Sequence, residues 1–376
     1  MKPRVLIVGR SRYRLPLETS LRRKFDSLSA QLEVRVVGSG VDGAPVGDDT
    51  FALVPPARRL DGPLFWARLP WRLARELRQF RPDAVSAQSP YEGFAALLAR
   101  RLARTRTPVL MDVHGDWRTS TRLYGSPLRR AASPVADRLS LAALRRADAI
   151  RAVSPYTARV VREAGLEPAD EFPAFMDLEP FLDRPPAPLP ERPVALFVGV
   201  LERYKNVDGL ADAWRLAAPR VPEAQLRIVG RGSLAGVVRR LVAELPQHTS
   251  WDERLEPAEV ARALDEATVL VLPSRSEGMG RVLVEALCRG RGVVGARVGG
   301  IPDLVVHGEN GILVDPADTD GIAAAIVSVL GDHQLAARLA AGARAKAEAV
   351  VTTPEQYAAA LRSFVERVLR LRLSAG

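Results

Sequence analysis

The sequence predicts an α/β protein built from two doubly wound domains. Short apolar runs alternate with helical patterns along most of the chain, which is the arrangement expected of parallel sheets covered by helices. The alternation is interrupted at residues 184–193, where five prolines fall within ten residues, and then restarts. A chain of 376 residues is also longer than one typical hydrophobic core supports. Two domains joined by a semi-rigid, proline-rich linker are therefore expected.

Strand and helix patterns follow one another in order through the first half of the chain. Strands are predicted at 3–9, at 32–38, from 83, within 106–118 and from 147, and helical patterns at 17–32, 63–81, 89–103 and 126–146. Ser154 follows the last of these strands, and we expect it to cap the next helix.

The second half repeats the alternation. Strands are predicted at 193–199, 224–230 and 269–272, and helices at 208–218, 257–266, within the alanine-rich residues 317–350 and at 354–372. The strand at 269–272 is followed by a glycine-bearing loop, 274–280, and then by a helical pattern. Glu277 lies beyond the carboxyl end of that strand, where open α/β sheets bind ligands. The helix N-terminus behind Gly278 and Gly280 offers unpaired N–H groups that suit a phosphate.

Two glutamates mark this strand-loop-helix unit. Glu277 and Glu285 are separated by seven residues within SRSEGMGRVLVEAL, and the motifs GGIPDLV and NGILVDP follow. This ordered set resembles the signature of the retaining glycosyltransferase family 4, whose members have the GT-B fold. The resemblance implies two Rossmann-like domains facing across a cleft, with a C-terminal helix crossing back to the first domain. The first domain would then comprise residues 1–185 plus 354–376, and the second would comprise residues 190–352.

The resemblance implies that the second domain holds a UDP- or GDP-linked sugar, the donor substrate. Glu285 is expected to bind the ribose hydroxyls, because one carboxylate accepts two hydrogen bonds, and Glu277 is expected to hold a sugar hydroxyl near the reacting carbon. Lys205 and Arg203 would neutralise the departing diphosphate. The other residues expected to bind the donor are Gly199, Gly230, Gly232, Ser276, Gly278, Met279, Gly280, Arg281 and Val282.

The basic loop after the strand at 193–199 departs from the family pattern. That pattern is roughly G-R-L-x-x-x-K-G, whereas residues 199–206 have the sequence GVLERYKN. Lys205 matches the lysine, but Val200 stands where the arginine is expected. Either Arg203 substitutes for the arginine, or the second cation is missing, or both cations are simply solvated.

The first domain is expected to hold the acceptor. His114 and the glycine after it resemble the strand-His-Gly element of the family, which implies that His114 lines the cleft near the transferred sugar. A neutral imidazole there would hydrogen-bond a sugar hydroxyl or the leaving phosphate, although a purely structural histidine is the alternative. Asp116 and Trp117 are expected to shape the acceptor pocket.

The loop after the first strand also departs from the family, whose members usually carry a glycine-rich loop there. Residues 9–16 have the sequence GRSRYRLP, so Arg10, Arg12 and Arg14 fall in a polar loop. The three arginines either face an anionic group on the acceptor side or form a solvated basic loop.

Positive charge is concentrated in the first half of the chain. The net charge is +10, yet residues 1–150 contain 27 Arg or Lys against 14 Asp or Glu, whereas residues 191–376 contain 23 of each. A basic half is typical of proteins that bind nucleic acid, an anionic membrane or an anionic substrate. No nucleic-acid motif accompanies it, so the expected partners are the nucleotide sugar, a glycan or lipid-linked acceptor and an anionic membrane surface.

Residues 63–81 are the strongest candidate for the membrane contact. Trp66 and Trp71 fall among leucines and arginines, as in an interfacial amphipathic helix. The alternative is a surface helix that packs its apolar face on the domain core.

No metal or cofactor is expected. Cys and His are too few and scattered for a zinc site, and Cys288 fits a helix core better than a nucleophile. The acidic triplet at 318–320 is expected to cap a helix. The single cysteine, the absence of a ~20-residue apolar run and a first segment that fits a strand rather than a signal peptide predict a cytoplasmic protein. The basic half adds peripheral association with the inner face of the cell membrane.

The implied reaction is metal-independent transfer of a hexose with retention of configuration, in which the acceptor attacks on the face of the leaving group and the phosphate assists. Two other functions stay open. A nucleotide-sugar 2-epimerase shares this fold but usually needs more acid–base side chains, and only four histidines are present. A non-catalytic, membrane-associated relative would fit the altered loop at 9–16 and Val200.

Overall fold

The structure is a computed structural model that describes residues 1–55, 61–118 and 133–374. These residues divide into two compact units. The first contains the described residues up to Asp177 together with those from Thr352 onward, and the second contains Leu178–Val351. Residues 126–132, which fall in the helical pattern predicted at 126–146, lie outside the described part of the chain.

The first unit is built on a six-stranded parallel sheet. Its strands are β1 (Arg4–Arg12), β2 (Glu33–Ser39), β3 (Ala84–Ala87), β4 (Val109–Val113), β5 (Ala149–Ala152) and β6 (Asp170–Glu171). In space they follow the order β2-β1-β3-β4-β5-β6. The chain therefore winds from β1 outward to β2, and then resumes at β3 on the other side of β1. The helices that connect these strands are α1 (Thr19–Gln31), α2 (Asp61–Gln79), α3 (Pro90–Ala103), α4 (Ser133–Leu144) and α5 (Pro155–Glu163).

Side chains of the first sheet alternate between two apolar layers, as the two-residue period of a strand requires. Leu6 and Val8 pack with Leu69, Leu73 and other residues of α2, α3 and α4 on one face. The intervening Val5 and Ile7 pack on the other face with Phe25 and Leu28 of α1. The apolar face of residues 63–81 is thus covered by the core, as the surface-helix alternative predicted, while Trp71 projects outside it with 67% of its surface exposed.

The first strand is longer than predicted. The expectation of a loop from Arg10 is wrong, because β1 continues to Arg12. Past a register shift, Arg12 pairs with Ser39, and the N–H of Tyr13 donates to the Ser39 carbonyl at 2.8 Å. Pairing with β2 therefore extends the strand through residues whose composition resembles a loop.

The second unit contains another six-stranded parallel sheet. Its strands are β7 (Val194–Val198), β8 (Gln225–Val229), β9 (Thr249–Asp252), β10 (Val269–Leu272), β11 (Gly292–Ala296) and β12 (Gly311–Val314), in the spatial order β12-β11-β10-β7-β8-β9. Its helices are α6 (Glu179–Leu182), α7 (Val207–Ala217), α8 (Ala235–Glu244), α9 (Pro257–Asp265), α10 (Arg281–Cys288), α11 (Ile301–Leu304), α12 (Thr319–Gly331) and α13 (His333–Val350).

The final helix, α14 (Pro354–Ser374), belongs to the first unit, as predicted. Leu361, Phe364 and Val365 are buried in the same apolar layer as Phe25 of α1. The Ser27 hydroxyl also donates to the carboxylate of Glu355 at 3.1 Å. The end of the chain therefore completes the core of the first unit.

Predicted helix caps form where the sequence placed them. Ser154 accepts a hydrogen bond from the backbone N–H of Thr157 at the start of α5. Asp318 accepts one from Gly321 at 2.8 Å and so caps α12, as expected for the acidic triplet.

Cys288 is 5% exposed on α10, and burial raises the pKa of its thiol to about 11. That environment suits a core residue and disfavours a thiolate nucleophile.

The proline-rich segment is held against the second unit by two buried arginines. Arg289 pairs with Asp265 at 2.7 Å and donates to the carbonyls of Arg184 at 2.7 Å and Pro185 at 2.9 Å. Arg291 donates to the carbonyls of Ala187 and Pro188. Carbonyls that have no sheet partner are satisfied in this way, which fixes the segment instead of leaving it a free linker.

Within the described ranges, no single helix combines the length and apolar character of a membrane span. One pair, Thr319–Gly331 and His333–Val350, meets both requirements together but is bent by 97°.

Candidate functional site

Lys205 and Glu277 follow two adjacent strands at the carboxyl edge of the second sheet. From β7 the chain winds outward through β8 and β9, and it resumes with β10 on the opposite side of β7. The space beyond such a reversal of strand order is where open α/β sheets bind ligands. Lys205 follows β7 and Glu277 follows β10, so the reversal brings both residues to one place.

The two side chains form an ion pair in a nearly buried setting. Nζ of Lys205 donates to Oε2 of Glu277, and the two side chains are only 10% and 13% exposed. Neither charge would be stable there without a partner of opposite sign. A negatively charged ligand and a hydroxyl-bearing ligand could therefore each recruit one member of the pair.

Arg275 fixes the turn that carries Lys205. The turn is a short 3₁₀ segment, Arg203–Lys205. The N–H of Arg275 donates to the carbonyl of Tyr204 at 2.7 Å, and its guanidinium donates to the carbonyl of Arg203 at 3.0 Å. The same guanidinium grips both carboxylate oxygens of Asp208 at 3.1 and 2.9 Å. Partial burial disfavours ionisation of Asp208, but hydrogen bonding and the charge of Arg275 outweigh it and lower the pKa of Asp208.

Asn206 explains one departure from the family pattern. It has φ 57°, in the left-handed region that favours glycine and that asparagine tolerates best among other residues. Its side chain is fully buried, and Nδ2 donates to the carbonyl of Pro316 at 2.8 Å. Asparagine can thus stand where the pattern has glycine, and the end of the Lys205 turn keeps its geometry.

The glycine pair at 299–300 supports the loop that carries Glu277. A Cβ on Gly299, whose φ is 58°, would lie 1.9 Å from the Glu277 carbonyl oxygen, and one on Gly300 would lie 2.1 Å from that of Gly278. The N–H of Gly300 also donates to the Glu277 carbonyl at 3.0 Å. Only glycines permit this approach, so the motif sets the position of Glu277.

Gly230 and Gly232 serve a similar packing role between two loops. A Cβ on Gly230 would lie 1.8 Å from the carbonyl oxygen of Gly199, and one on Gly232 would lie 2.5 Å from that of Leu201. These predicted binding residues therefore let the loops after β7 and β8 pack together. Arg231 lies between them, and its carbonyl accepts the N–H of Leu201 at 3.0 Å.

Two arginines, one in the Lys205 turn and one in the adjacent loop after β8, are exposed. The side chains of Arg203 and Arg231 make no hydrogen bond or ion pair to any residue that the structure describes. Sequence analysis did not assign Arg231 to the site, although its position directly after a buried strand could have indicated it. The expected second cation thus has two candidates.

The segment around Glu277 leads into the N-terminus of α10. Ser276, Gly278 and Met279 are partly exposed, Gly280 has φ 70°, and Val282 is buried. The first turn of α10 has no side-chain cap; the N–H of Leu283 donates to the Gly280 carbonyl at 2.9 Å, and the N–H groups of Arg281 and Val282 remain available to a ligand. Helices bind anions in this way.

Glu285 lies one turn further along α10 and is 7% exposed. Burial raises the pKa of its carboxyl group, and the nearby charge and hydrogen bond of Arg281 oppose this effect. Nε of Arg281 donates to Oε1 of Glu285 at 2.8 Å. The predicted pair of glutamates is therefore arranged with one residue beside Lys205 and the other beside Arg281.

His114 follows β4 in the first unit, with 38% of its side chain exposed. Partial desolvation of the ring by the surrounding protein, together with the positive charges of Arg151 and Lys24, lowers the pKa of His114 to about 4, although Asp112 acts in the opposite direction. The nearest oxygen of Asp112 is 3.9 Å from Nε2 and pairs more closely with the buried Arg151, at 2.8 Å. The imidazole is thus neutral at neutral pH, as the predicted hydrogen-bonding role requires.

The remaining predicted acceptor-side residues differ in accessibility. Arg10, Arg12 and Arg14 are exposed, whereas Trp117 is 4% exposed and packs into the core. Asp116 accepts a hydrogen bond from Nε of Arg118 at 2.9 Å. The three arginines are accessible to a ligand, and the ring of Trp117 contributes to packing instead.

A buried carboxylate that sequence analysis missed holds the backbone at the end of β1. Glu92 is 5% exposed, accepts the N–H of Arg10 at 3.1 Å and contacts the hydroxyl of Ser89. Burial raises the pKa of Glu92, while these hydrogen bonds act against the rise. Glu92 follows β3 and Arg10 lies on β1, so this contact forms where strand order reverses in the first sheet.

Across residues 1–55, 61–118 and 133–374, no group of three or more His, Cys, Asp or Glu side chains is arranged to hold a metal ion.

Two family descriptions match successive parts of the chain. Residues 17–172 match Glycosyltransferase Family 4, and residues 181–346 match Glycosyl transferases group 1. The two matches meet close to the boundary between the two compact units.

The curated relatives align with this chain over only part of their own length. A GDP-mannose-dependent alpha-(1-6)-phosphatidylinositol monomannoside mannosyltransferase of Mycolicibacterium smegmatis is 31% identical over 53% of this chain and 57% of its own. The sulfoquinovosyl transferase SQD2 of Arabidopsis thaliana is 30% identical over 46% of this chain and 34% of its own. The chain therefore spans about a third to three fifths of the length of these relatives.

Solved structures share the fold over nearly the whole chain. Sucrose-phosphate synthase from Thermosynechococcus elongatus superposes with a TM-score of 0.76 at 19% identity, covering 100% of both chains. HepE of Anabaena, in complex with UDP, gives a TM-score of 0.69 at 19% identity over 96% of this chain and 99% of its own. With two Rossmann-like sheets, a returning C-terminal helix and both halves matched, the chain belongs to glycosyltransferase family 4, the group 1 glycosyl transferases of GT-B fold.

Proposed function

We propose that the protein is a retaining glycosyltransferase that moves a hexose from a UDP- or GDP-linked donor to a hydroxyl group. The acceptor is a lipid-linked glycan or another cell-envelope glycoconjugate, and the protein works in the cytoplasm at the inner face of the membrane. The observation that carries the proposal is the Lys205–Glu277 ion pair at the reversal of strand order, beside the uncapped N-terminus of α10.

The pair suits a sugar diphosphate because its two members have different partners in such a ligand. The ammonium of Lys205 would bind a phosphate oxygen, and the carboxylate of Glu277 would accept a hydrogen bond from a sugar hydroxyl. Donor binding would thus replace one internal ion pair by two ligand contacts. Both groups are nearly buried, so these contacts would form in a medium where charge interactions are strong.

In the proposed reaction the bond between the anomeric carbon and the diphosphate oxygen breaks while the acceptor oxygen bonds to that carbon from the same face. The acceptor proton passes to the departing phosphate oxygen, so no protein group is consumed. Negative charge grows on the diphosphate as the bond breaks. Lys205, Arg203, Arg231 and the N–H groups of α10 would stabilise that charge, and such stabilisation is usually the largest catalytic term.

Three observations support a membrane-linked acceptor. The mannosyltransferase of M. smegmatis is named for a phosphatidylinositol mannoside acceptor. Residues 1–150 carry 27 basic against 14 acidic residues, which suits an anionic acceptor. Arg10, near the end of β1, and Arg14, just after it, are exposed, and His114 is neutral and partly exposed in the same unit.

A binding screen tests the donor assignment. UDP-glucose, UDP-N-acetylglucosamine, GDP-mannose and the free nucleotide diphosphates are titrated while the thermal unfolding temperature is recorded. We expect at least one nucleotide-sugar to raise the midpoint, and the rise to be absent in Lys205→Ala and Glu277→Gln but retained in Lys346→Ala. A protein that is stabilised by none of them would contradict the proposal, and so would conversion of UDP-N-acetylglucosamine to its 2-epimer.

A further inference from the structure

Helices α2, α3 and α4 present an apolar surface on the side that faces away from the sheet. The large apolar side chains exposed there are Trp71, Phe94, Leu98, Val135 and Leu139, with 40–67% of each exposed. We call this surface the α2–α3–α4 face. Single exposed apolar residues are ordinary, but a cluster contributed by three adjacent helices marks an interaction site.

Helix α3 is apolar on opposite sides. Ala95, Ala96 and Ala99 are buried against the sheet, whereas Phe94 and Leu98 point outward and are 43% and 40% exposed. A surface helix of a soluble protein usually has a polar outer face. The outer apolar stripe of α3 therefore has no role in the core.

The outward stripe forms the floor of a groove. The groove has a volume of about 580 Å³ and is lined by Trp66, Pro70, Tyr91, Phe94, Leu98 and Leu139, among others. Its walls are α2 on one side and α4 on the other. A depression of this volume with an apolar lining suits an apolar group better than a polar one.

Exposed charge around the groove is almost entirely positive. The arginines exposed on or directly after these helices include Arg68, Arg75, Arg101, Arg138, Arg145 and Arg146. The carboxylates among the described side chains of α2, α3 and α4 are Glu76, Glu92 and Asp137, and none is exposed. Glu76 is paired with Arg35 and Arg72, which offset its charge, and Glu92 is buried with its oxygens bound by the backbone N–H of Arg10 and the hydroxyl of Ser89.

We propose that the α2–α3–α4 face docks on the surface of an anionic phospholipid bilayer. Trp71, Phe94 and Leu98 enter the boundary between headgroups and acyl chains, and the surrounding arginines bind lipid phosphates. Tryptophan at the edge of an apolar patch with arginines around it is the composition of interfacial membrane elements. The inference deepens the proposed function by naming the surface that brings the transferase to a lipid-linked acceptor.

Vesicle flotation without donor or acceptor tests the docking surface. We expect the protein to float with phosphatidylglycerol-containing vesicles, to stay at the bottom with pure phosphatidylcholine vesicles, and to lose binding in high salt. The double variant Arg75→Glu/Arg138→Glu should bind the anionic vesicles at least about tenfold more weakly, because each basic residue close to an anionic membrane adds to the attraction between protein and membrane. The matched control, Arg220→Glu/Arg240→Glu on the second unit, exchanges equally exposed arginines and should bind as the native protein does.

The apolar half of the surface has its own test. Brominated lipids quench the fluorescence of tryptophans that reach the acyl boundary, so the native protein should be quenched on anionic vesicles. Trp71→Phe should lose most of that quenching while it still binds. Trp71→Ser should weaken binding severalfold, and Leu216→Ser, another exposed apolar residue, should not.

Equal recovery on neutral and anionic vesicles would overturn the proposal, as would native-like binding by Arg75→Glu/Arg138→Glu. Failure to float combined with a dimer that Trp71→Ser dissociates would assign the surface to a second copy of the chain and would also overturn it. Because these assays contain no nucleotide sugar, their outcome is independent of whether sugar transfer takes place.

Discussion

Lys205 and Glu277 are 72 residues apart in the chain, yet they form an ion pair at the carboxyl edge of the second sheet. Each is delivered by the end of a different strand, and the reversal of strand order between β7 and β10 makes those ends neighbours. The surrounding contacts position the backbone of both residues. Arg275 binds the turn of Lys205, and Gly299 with Gly300 packs against the loop of Glu277.

Replacing Arg275 should impair catalysis without removing any group that touches the substrate. Arg275→Ala frees the carbonyl of Arg203 and the carboxylate of Asp208, although the backbone N–H of residue 275 still reaches the Tyr204 carbonyl, and it should lower kcat about tenfold because Lys205 loses part of its support. Arg275→Lys should restore only part of the rate, since it cannot grip both oxygens of Asp208. Steady-state kinetics separates the cases: a purely structural role would lower the amount of folded enzyme and leave kcat per folded molecule unchanged.

Asp208 should make stability depend on acid pH. The pKa of Asp208 is lowered in the folded protein, so folding is favoured by its ionised form above the unfolded pKa. That contribution is lost as the pH falls through the lowered pKa. Urea unfolding of native protein and Asp208→Asn at pH 7 and below pH 3.8, the ordinary pKa of an aspartate, should therefore give stabilities that converge at the lower pH. A constant difference between the two proteins would contradict this assignment.

His114 should favour folding in its neutral form, whereas Asp208 favours folding in its ionised form. Its pKa falls from 6.5 to about 4 on folding, so the unfolded chain binds a proton that the folded protein does not between those values. Stability should decrease as the pH falls from about 6.5 to about 4, and His114→Asn should reduce that decrease. The ring is 38% exposed, so solvent moderates the effect. A titration of the His114 ring protons by NMR with a midpoint near 6.5 would refute the assignment.

The two exposed arginines should share the role of the second cation. Arg203→Ala and Arg231→Ala should each lower kcat/KM for the nucleotide sugar by about tenfold, since each would contribute one contact to the diphosphate. Neither replacement should affect folding, because both side chains lack partners within the described part of the chain. Arg239→Ala, on α8, is the matched control. If Arg203→Ala alone carried the whole effect, Arg231 would be only a solvated loop residue.

Arg289 should be a major contributor to the stability of the second unit. Its side chain is fully buried, pairs with Asp265 and binds the carbonyls of the proline-rich segment. Arg289→Ala should cost about 2–4 kcal/mol of unfolding free energy, because the carbonyls of Arg184 and Pro185 lose their donor and Asp265 keeps only the more exposed Arg184 as its ion-pair partner. Urea unfolding measures the loss, and Arg344→Ala, on the exposed side of α13, provides the comparison. A loss below about 1 kcal/mol would show that water replaces the guanidinium easily.

Much of the fold follows from patterns that act over short distances. The strand at 269–272 has the predicted bounds, and the caps at Ser154 and Asp318 form as expected, because a few neighbouring residues determine these features. The end of β1 was missed since pairing with Ser39 of another strand, which composition does not reveal, extends it to Arg12.

The residues of the candidate site were likewise predictable where the signal is local, and they were missed where their role depends on contacts distant in sequence. Glu277 and Lys205 could be proposed from sequence because both lie in loops that follow strands and fall in recognisable motifs. Arg275 was missed because its importance lies in contacts with Tyr204 and Asp208, which are far from it in sequence. Glu92 was missed for a related reason, since a glutamate in the first turn of a helix has the same local pattern whether it is exposed or, as here, buried against the backbone of Arg10.

The rate of donor turnover by Lys205→Ala tests the central claim most directly. With the donor identified by the binding screen, kcat for sugar transfer, or for slow hydrolysis of the donor, is compared among native protein, Lys205→Ala and Lys346→Ala. If Lys205 stabilises the leaving diphosphate, Lys205→Ala should lose about 100-fold or more in kcat while Lys346→Ala is unaffected. A folded Lys205→Ala protein with a kcat within about twofold of native would contradict that role, since the residue would then lie outside the reacting centre.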